Sequence, residues 1–338
     1  MGVTFFASPI GLGHASRDIA IAQHLADSVE FVTGEAAARL IGNYGYPVHD
    51  VYRPVKFAVE SGKLQDSFRW LMDYYSYYKK CKEIAREILN SGTESLVVSD
   101  EDFASISVAQ ECRRRRILVT DITETHFTKG MVSIIEKRMN RAMQDMIRSC
   151  DRVIIPDTGQ DRDNFVHVGP IVRAAGGSRE ELRRKFGFTR KTILASSGGT
   201  NAGKFLIEQT IEACKELSSL DAELVVVPGP SLQLDSSSGY RNLGFVDNLH
   251  DLVFASDLVI SLAGRSTMDE SIAFGTPGIF IPIKGHFEQE HGAARLGYTY
   301  EDVFRLATLI EEKISQGRAA EAKADGAAKA AEIISSYL

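Results

Sequence analysis

The chain has four cysteines, one tryptophan and no long apolar run, and each shortage closes off a class of protein. Cys81, Cys112, Cys150 and Cys214 lie dozens of residues apart with no Cys-x-x-Cys pair. That spacing fits neither a zinc site nor a disulfide framework, so the expectation is buried, reduced thiols in a cytosolic protein. No stretch approaches the roughly 20 apolar residues of a membrane span, and Met1 leads straight into the strand-like Val3-Thr4-Phe5-Phe6-Ala7 without a charged leader. A cytoplasmic location is expected on that ground. Basic charge is not in excess either: 39 Lys and Arg against 45 Asp and Glu give a net charge of −6. Such a chain repels a polyphosphate backbone, and nucleic-acid binding is not expected. With 44% hydrophobic and 25% charged residues and only nine prolines, the composition excludes a disordered or collagen-like chain.

What is present is an alternation of short apolar runs and amphipathic stretches over 338 residues, the pattern of parallel α/β units in two domains. Strands are expected at Val3–Ser8, Val29–Thr33, Ser95–Ser99, Ile117–Asp121, Arg152–Pro156, Thr192–Ser196, Ala222–Val227, Leu258–Leu262 and Gly278–Pro282. Helical patterns lie between them at Ser16–Ala26, Phe205–Leu217 and Tyr300–Ile314, and no 20- to 50-residue repeat marks a solenoid. A strand, a glycine loop and a helix occur in that order twice, through Gly11-Leu12-Gly13-His14 and through Ser197-Gly198-Gly199-Thr200. Each reads as the first βα unit of its own Rossmann-like domain. The polar, glycine-containing Arg173-Ala174-Ala175-Gly176-Gly177-Ser178 after Val168-Gly169-Pro170 reads as the linker. The expected organisation is one Rossmann-like domain over residues 1–167 and a second over 168–318, facing each other across a cleft. The Ala-rich segment 319–338, broken near Gly326, is then expected to pack back on the first domain as a helix.

A Gly-x-Gly turn between strand and helix lets backbone amides and the helix dipole approach an anion. Gly11 and Gly13 satisfy this, but Ser16 stands where a dinucleotide fingerprint has its third glycine, and nicotinamide binding is not expected. His14 falls at the carboxyl edge of the sheet, where an imidazole can act as a general base, and His126 is its rival. Downstream, Ala263-Gly264-Arg265-Ser266-Thr267-Met268-Asp269-Glu270 follows a strand, with Ser266 and Asp269 spaced as a capping box. The amides of that helix start suit a diphosphate, and Glu270 suits ribose hydroxyls. The polar segment holding Glu288 and Gln289 suits the hydroxyls of a sugar.

Taken together, Gly-x-Gly-His, Ser-Gly-Gly-Thr, Ala-Gly-x-Ser-Thr-x-x-Glu, Gly-x-Pro and Glu-Gln resemble GT-B glycosyltransferases. The MurG branch of peptidoglycan synthesis and its archaeal relatives are the most similar. The resemblance implies an inverting transfer from a UDP-sugar to an unidentified acceptor, a lipid-linked one among the options. It needs no cofactor and no metal. It implies that Gly11, Gly13 and Arg17 belong to the acceptor-side loop and that His14 is the base, while Asp100, at the carboxyl edge of the first sheet under that fold, either orients His14 or touches the acceptor. Ser197, Gly198, Gly199 and Thr200 then form the donor glycine loop, Phe245 and Val246 line the base, Gly264, Arg265, Ser266 and Thr267 hold the diphosphate, Glu270 binds ribose, and Glu288 and Gln289 read the sugar. Arg265 departs from the usual apolar or small residue.

Three further features carry alternatives. Asp100-Glu101-Asp102 spells the Asp-x-Asp by which GT-A enzymes hold a metal. Arg113–Arg116 reads as a solvated helix end or as a contact with an anionic membrane. In Phe68–Lys80, helical spacing assigns Phe68, Leu71, Tyr75 and Tyr78 to packing and leaves Trp70, Tyr74 and Tyr77 for a lipid-linked or aromatic acceptor. Gly-Leu-Gly-His-x-x-Arg also resembles GT-B-fold hydrolases that release UDP to water, and a nucleotide-sugar-binding protein without turnover is the third reading.

Overall fold

The computed structural model describes residues 2–65, 67–92, 96–126, 133–198, 201–217, 220–229, 232 and 239–338, apart from the side chains of residues 67, 68 and 201. It divides into two compact units: Met1–Lys56 with Asp66–Val172 and Ala324–Leu338, and Phe57–Gln65 with Arg173–Lys323. The segment 57–65 thus belongs to the second unit although it arises within the first half of the chain.

The first unit holds a seven-stranded sheet in the order β3-β2-β1-β6-β7-β8-β9. Its strands are β1 (Gly2–Ala7), β2 (Ser28–Thr33), β3 (Val48–Asp50), β6 (Leu96–Asp100), β7 (Arg115–Val119), β8 (Arg152–Ile155) and β9 (Phe165–His167), and all neighbours run parallel. Side-chain alternation sends Val3 and Phe5 to one face and Phe6 and Val97 to the other. The first face packs on α1 (Gly13–Ala22), α2 (Glu35–Asn43) and α12 (Gly326–Ser335), the second on α3 (Ser67–Ser91) and α4 (Phe103–Glu111). A sheet buried on both faces explains why its strands read as near-continuous apolar runs. Strand order reverses between β1 and β6, where Ala7 is in register with Asp100, and this is the switch point at which parallel sheets place their sites.

The second unit repeats the plan with β12-β11-β10-β13-β14, again all parallel. Its strands are β10 (Lys191–Ser196), β11 (Ala222–Val227), β12 (Arg241–Asn242), β13 (Leu258–Leu262) and β14 (Gly278–Ile281). The reversal falls between β10 and β13, with Ser196 opposite Ser261. A two-stranded antiparallel hairpin, β4 (Val59–Glu60) and β5 (Lys63–Leu64), joins this unit. Among the described residues no helix is long and apolar enough to cross a membrane.

Several expectations are corrected. The helix expected over 319–338 starts, rather than breaks, at Gly326. A Cβ there would lie 2.4 Å from the Pro170 carbonyl oxygen, so glycine lets the helix start lie on the backbone of 169–170. Arg113–Arg116 is a solvated end only in part: Arg113 and Arg115 are exposed, while Arg114, Arg115 and Arg116 donate to the carbonyls of Leu89 and Gly92, of Tyr337, and of Ser149. On α3 the division holds only in part: Leu71 is buried and Tyr78 half-buried as expected, but Trp70 is buried too, Tyr74 and Tyr77 are half-buried and Tyr75 is exposed, while the Phe68 side chain lies outside the described residues. Trp70 stacks on Tyr74 at 5.1 Å, and Tyr77 meets Tyr52 edge-on at 6.3 Å. All four cysteines are free, but only Cys81 and Cys150 are buried, which pushes both thiols up to about 12.

Ile334 on α12 has no exposed surface and packs in the first unit's core. Ile334→Ala is expected to cost about 2–5 kcal/mol of that unit's stability by transfer and cavity terms. A chemical-denaturation midpoint unchanged from wild type would show that the terminal helix carries no part of the fold.

Candidate active site

At the β1/β6 switch point, the turn Gly11-Leu12 leads into α1 and sets His14, Arg17 and Asp18 on its first turns. Gly11 adopts φ +84°, a left-handed conformation that favours glycine. Asp100, the last residue of β6, is fully buried. His14 Nδ1 lies 2.9 Å from Asp100 Oδ1, Arg17 Nε donates to Oδ2 at 2.7 Å, and an Arg17 terminal nitrogen donates to Oδ1. Burial alone would raise the Asp100 carboxyl, but Arg17 and then His14 overcome it and hold the group below the usual carboxylate range. An ionised carboxylate only accepts, so Nδ1 of His14 carries the proton and Nε2 presents its lone pair. With 19% of its side chain exposed, His14 is the member of this set that a substrate can reach.

Two acidic residues that the motif does not announce complete the cluster. Glu101 sits at φ +55°, a backbone conformation that L residues adopt at a cost and that recurs at functional sites. Its Oε1 accepts from Thr120 Oγ1 at 3.1 Å and from the Asp121 amide at 3.3 Å, and its Oε2 lies 3.8 Å from His14 Nε2. Ligand atoms of His14, Asp100 and Glu101 fall within 4.8 Å of one another, a spacing that admits a cation. Arg17, bound to Asp100 and 3.9 Å from Glu101 Oε1, already supplies a positive charge there. Asp18 is fully buried and no donor reaches either carboxyl oxygen, so only a proton of its own could bond it to Asp100. Burial, and then the charge of Asp100, raise it well above the carboxylate range. Asp102 turns away: it caps α4 through the amides of Ala104 and Ser105 and accepts from Tyr52 Oη at 2.9 Å. Burial pushes it up to about 6. The rival His126 is exposed, paired with Glu124 at 3.1 Å and not gathered to Asp100.

In the second unit, the loops after β10 and β13 carry the remaining predicted residues. Ser197 is buried and donates to the Pro228 carbonyl, and Gly198 adopts φ +73°. Gly199 and Thr200 lie outside the described residues. Gly264 caps α9 (Arg265–Ala273), with Arg265, Ser266 and Thr267 half-exposed on its first turn. The expected capping box is absent because Ser266 lies inside the helix, and Asp269 instead accepts from Arg265 Nε at 2.7 Å. Glu270 is buried, with Arg173 3.4 Å from its Oε1. Burial raises Glu270, and Arg173 opposes this in part. Arg173 also donates to the Asp247 carbonyl at 2.8 Å, so one guanidinium joins Glu270 to the half-buried Phe245-Val246-Asp247 stretch. Arg173 falls in the segment expected to be the linker, and only its burial discloses this role. Glu288 and Gln289 lie on the first turn of α10 (Phe287–Arg295), where Gln289 Oε1 accepts from the Ile283 amide at 3.0 Å.

Residues 196–334 match the glycosyltransferase family 28 C-terminal domain. Over the whole chain, the fold matches that of GT-B enzymes. A kitacinnamycin glycotransferase aligns with 100% of this chain and 99% of its own at TM-score 0.65 and 13% identity. The spinosyn rhamnosyltransferase SpnG in complex with thymidine diphosphate aligns with 100% and 96% at TM-score 0.59 and 14% identity. Through residues 196–334 the chain carries a domain of the glycosyltransferase family 28 C-terminal type, within a GT-B fold. Among curated relatives, an uncharacterized glycosyltransferase of Methanopyrus kandleri is 28% identical over 63% of this chain and 64% of its own length. One of Methanosarcina acetivorans is 23% identical over 87% and 83%. The UDP-N-acetylglucosamine–N-acetylmuramyl-(pentapeptide) pyrophosphoryl-undecaprenol N-acetylglucosamine transferase of Geobacillus thermodenitrificans is 26% identical over 67% and 64%. The fold removes the GT-A reading of Asp100 and Asp102, in keeping with Asp102 serving as a helix cap.

The buried Asp18 gives the first unit a pH signature. A carboxyl raised in the folded state contributes stability below its unfolded value and loses it as pH rises through the folded value. Asp18→Asn, which mimics the neutral acid, should therefore gain in melting temperature relative to wild type as pH is raised from 4 to 8. A difference that stays flat or shrinks over that range would mean that Asp18 is ionised in the fold.

Proposed function

We propose that this glycosyltransferase moves a sugar from a UDP-sugar to an acceptor hydroxyl with inversion. The observation that carries the reading is His14, held at Nδ1 by the buried Asp100–Arg17 pair with Nε2 toward solvent and Glu101. In the step, Nε2 takes the acceptor hydroxyl proton while the acceptor oxygen bonds to the anomeric carbon. The bond from that carbon to the diphosphate breaks, and UDP leaves with its electron pair. Asp100 steadies the imidazolium that results, and Glu101 adds a second negative charge on the other ring nitrogen. The second unit holds the donor. Amides at the start of α9 and the Arg265 side chain meet the diphosphate, Glu270 meets ribose, Phe245 and Val246 meet the base, and Glu288 and Gln289 meet the sugar. Fixed dipoles and Arg265 take the place of a metal or other cofactor.

The acceptor is unidentified, and a lipid-linked one at the cytoplasmic membrane face is part of the proposal. It is supported by the exposed Ile134 and Ile135 on α5 (Ser133–Arg148), beside the exposed Lys137, Arg138 and Arg141. An apolar pair flanked by basic residues suits an anionic bilayer surface. The name of the Geobacillus relative includes a pyrophosphoryl-undecaprenol acceptor.

If His14 is the base, His14→Ala should lower turnover of a UDP-sugar by about 10² to 10⁴ while UDP affinity stays near wild type. Turnover should also persist in EDTA. Full activity in the alanine variant, or a strict divalent requirement, sinks the mechanism. UDP release without any acceptor would instead make the enzyme a hydrolase.

Glu270→Ala should weaken UDP binding by about ten- to a hundredfold, the worth of hydrogen bonds to a charged group. Isothermal calorimetry with UDP measures it, and unchanged affinity would remove Glu270 from the donor site.

A further inference from the structure

We infer that the hairpin of residues 57–65 is a positioning element of the donor-sugar loop, which rests on the reading of Glu288 and Gln289 as sugar contacts. The chain leaves the first unit after Lys56, builds β4 and β5 in the second, and returns at Asp66. A two-stranded hairpin alone is marginal in water, so its order depends on what it packs against. Here it packs on the segment Ile283–Glu290. Leu64 donates its amide to the Lys284 carbonyl at 2.9 Å, and the Lys284 amide donates to the Gly62 carbonyl at 2.9 Å. Both backbone groups of Lys284 therefore find their partners on the hairpin.

The contact continues on both sides. Phe57 lies 5.2 Å, ring to ring, from His286, the buried residue that caps α10 just ahead of Glu288 and Gln289. At the turn, Ser61 and Gly62 take φ of +47° and +72°, and Tyr300 Oη donates to the Ser61 carbonyl at 2.7 Å. A Cβ on Gly62 would meet the Tyr300 ring at 2.9 Å and the Phe205 ring at 3.0 Å. Lys63 and Lys284 both lie over the Tyr300 ring, at 5.6 and 5.2 Å. From within, the segment is closed by the Ile283 amide on Gln289 Oε1 and by the Gly285 amide on Glu290 Oε1 at 2.9 Å. The glutamine carbonyl oxygen is thereby committed to the loop, so its amide N–H₂ is the end left to donate to a hydroxyl. The hairpin fixes the backbone from outside, and Gln289 fixes it from inside.

The experiment compares the full-length protein with Phe57→Ala, Gly62→Val and the milder Tyr300→Phe. Hydrogen exchange at residues 283–290 is measured together with calorimetric affinity for UDP, UDP-N-acetylglucosamine and UDP-glucose. Exchange at 283–290 should rise at least about tenfold in Phe57→Ala and Gly62→Val. Affinity for a bound UDP-sugar should fall about tenfold while that for UDP alone changes less than about twofold. Tyr300→Phe, which loses one hydrogen bond, should move the same quantities in the same direction by less. A segment that stays protected in Phe57→Ala overturns the inference, as does an equal loss of affinity for UDP and UDP-sugar. Glu288→Ala with the hairpin intact tests the underlying reading separately. If it leaves every affinity unchanged, the assignment of this loop to the sugar is what fails.

Discussion

A carboxylate without exposed surface stands at the end of β6, and most of the first unit's chemistry follows from keeping it charged. Moving Asp100 out of water is costly unless its charge is matched and its oxygens are hydrogen-bonded. Arg17 and His14 meet that demand from one turn of one helix, which fixes both where α1 starts and which way it faces. The imidazole is then committed at Nδ1, which leaves Nε2 as the ring nitrogen turned toward Glu101. Arg17 cannot also neutralise every acid near it, since Asp18 and Glu101 crowd the same place. Asp18, with no exposed surface, is pushed toward the neutral acid, whereas Glu101, tied to Thr120 and the Asp121 amide, reaches the edge where His14 meets solvent.

The second unit meets the corresponding problem with a different pair. Arg173 and Glu270 are both buried, and the guanidinium spends a second contact on the Asp247 carbonyl. Truncating either partner would leave the other charge buried and unmatched, a larger penalty than the pair's own net worth. The same switch-point topology thus serves two kinds of chemistry. In the first unit it gathers side chains around an imidazole, and in the second it opens glycine turns and a helix amino end whose amides suit an anion.

How legible this was in the sequence depends on the range over which each feature is determined. Strands buried on both faces show as apolar runs of four to six residues, so the long strands and the fold class could be read directly, whereas Val48–Asp50, Phe165–His167 and Arg241–Asn242 are too short to make a pattern. His14 was legible because its glycine turn is local, and Asp100 because it ends a strand. Arg173 was not, since a charged residue beside glycines looks like a linker until Glu270, 97 positions away, is seen against it. The division of α3 held only in part for a related reason: spacing identifies two stripes, but neighbours on other elements cover Leu71 and Tyr78 from one and Trp70 and Tyr77 from the other. Nothing local in residues 57–65 announces that their hydrogen-bonding partner is Lys284.

The run Asp100-Glu101-Asp102 shows how one backbone angle settles what composition leaves open. As a sequence it is a ready metal motif, three acids in a row after a strand. Had the strand simply continued, alternation would have set Asp100 and Asp102 on one face, available to a shared cation. The left-handed residue at Glu101 ends that alternation. Asp100 stays in the sheet register and meets His14, and Glu101 is thrown toward the open nitrogen of the same imidazole. Asp102 starts the next helix, where Tyr52 and two amides take up its oxygens. The strain of a positive φ on a residue with a Cβ is tolerated because both flanking carboxylates are pinned by neighbours on other elements. Three like charges are thereby separated into a buried orienting group, an edge carboxylate and a helix cap.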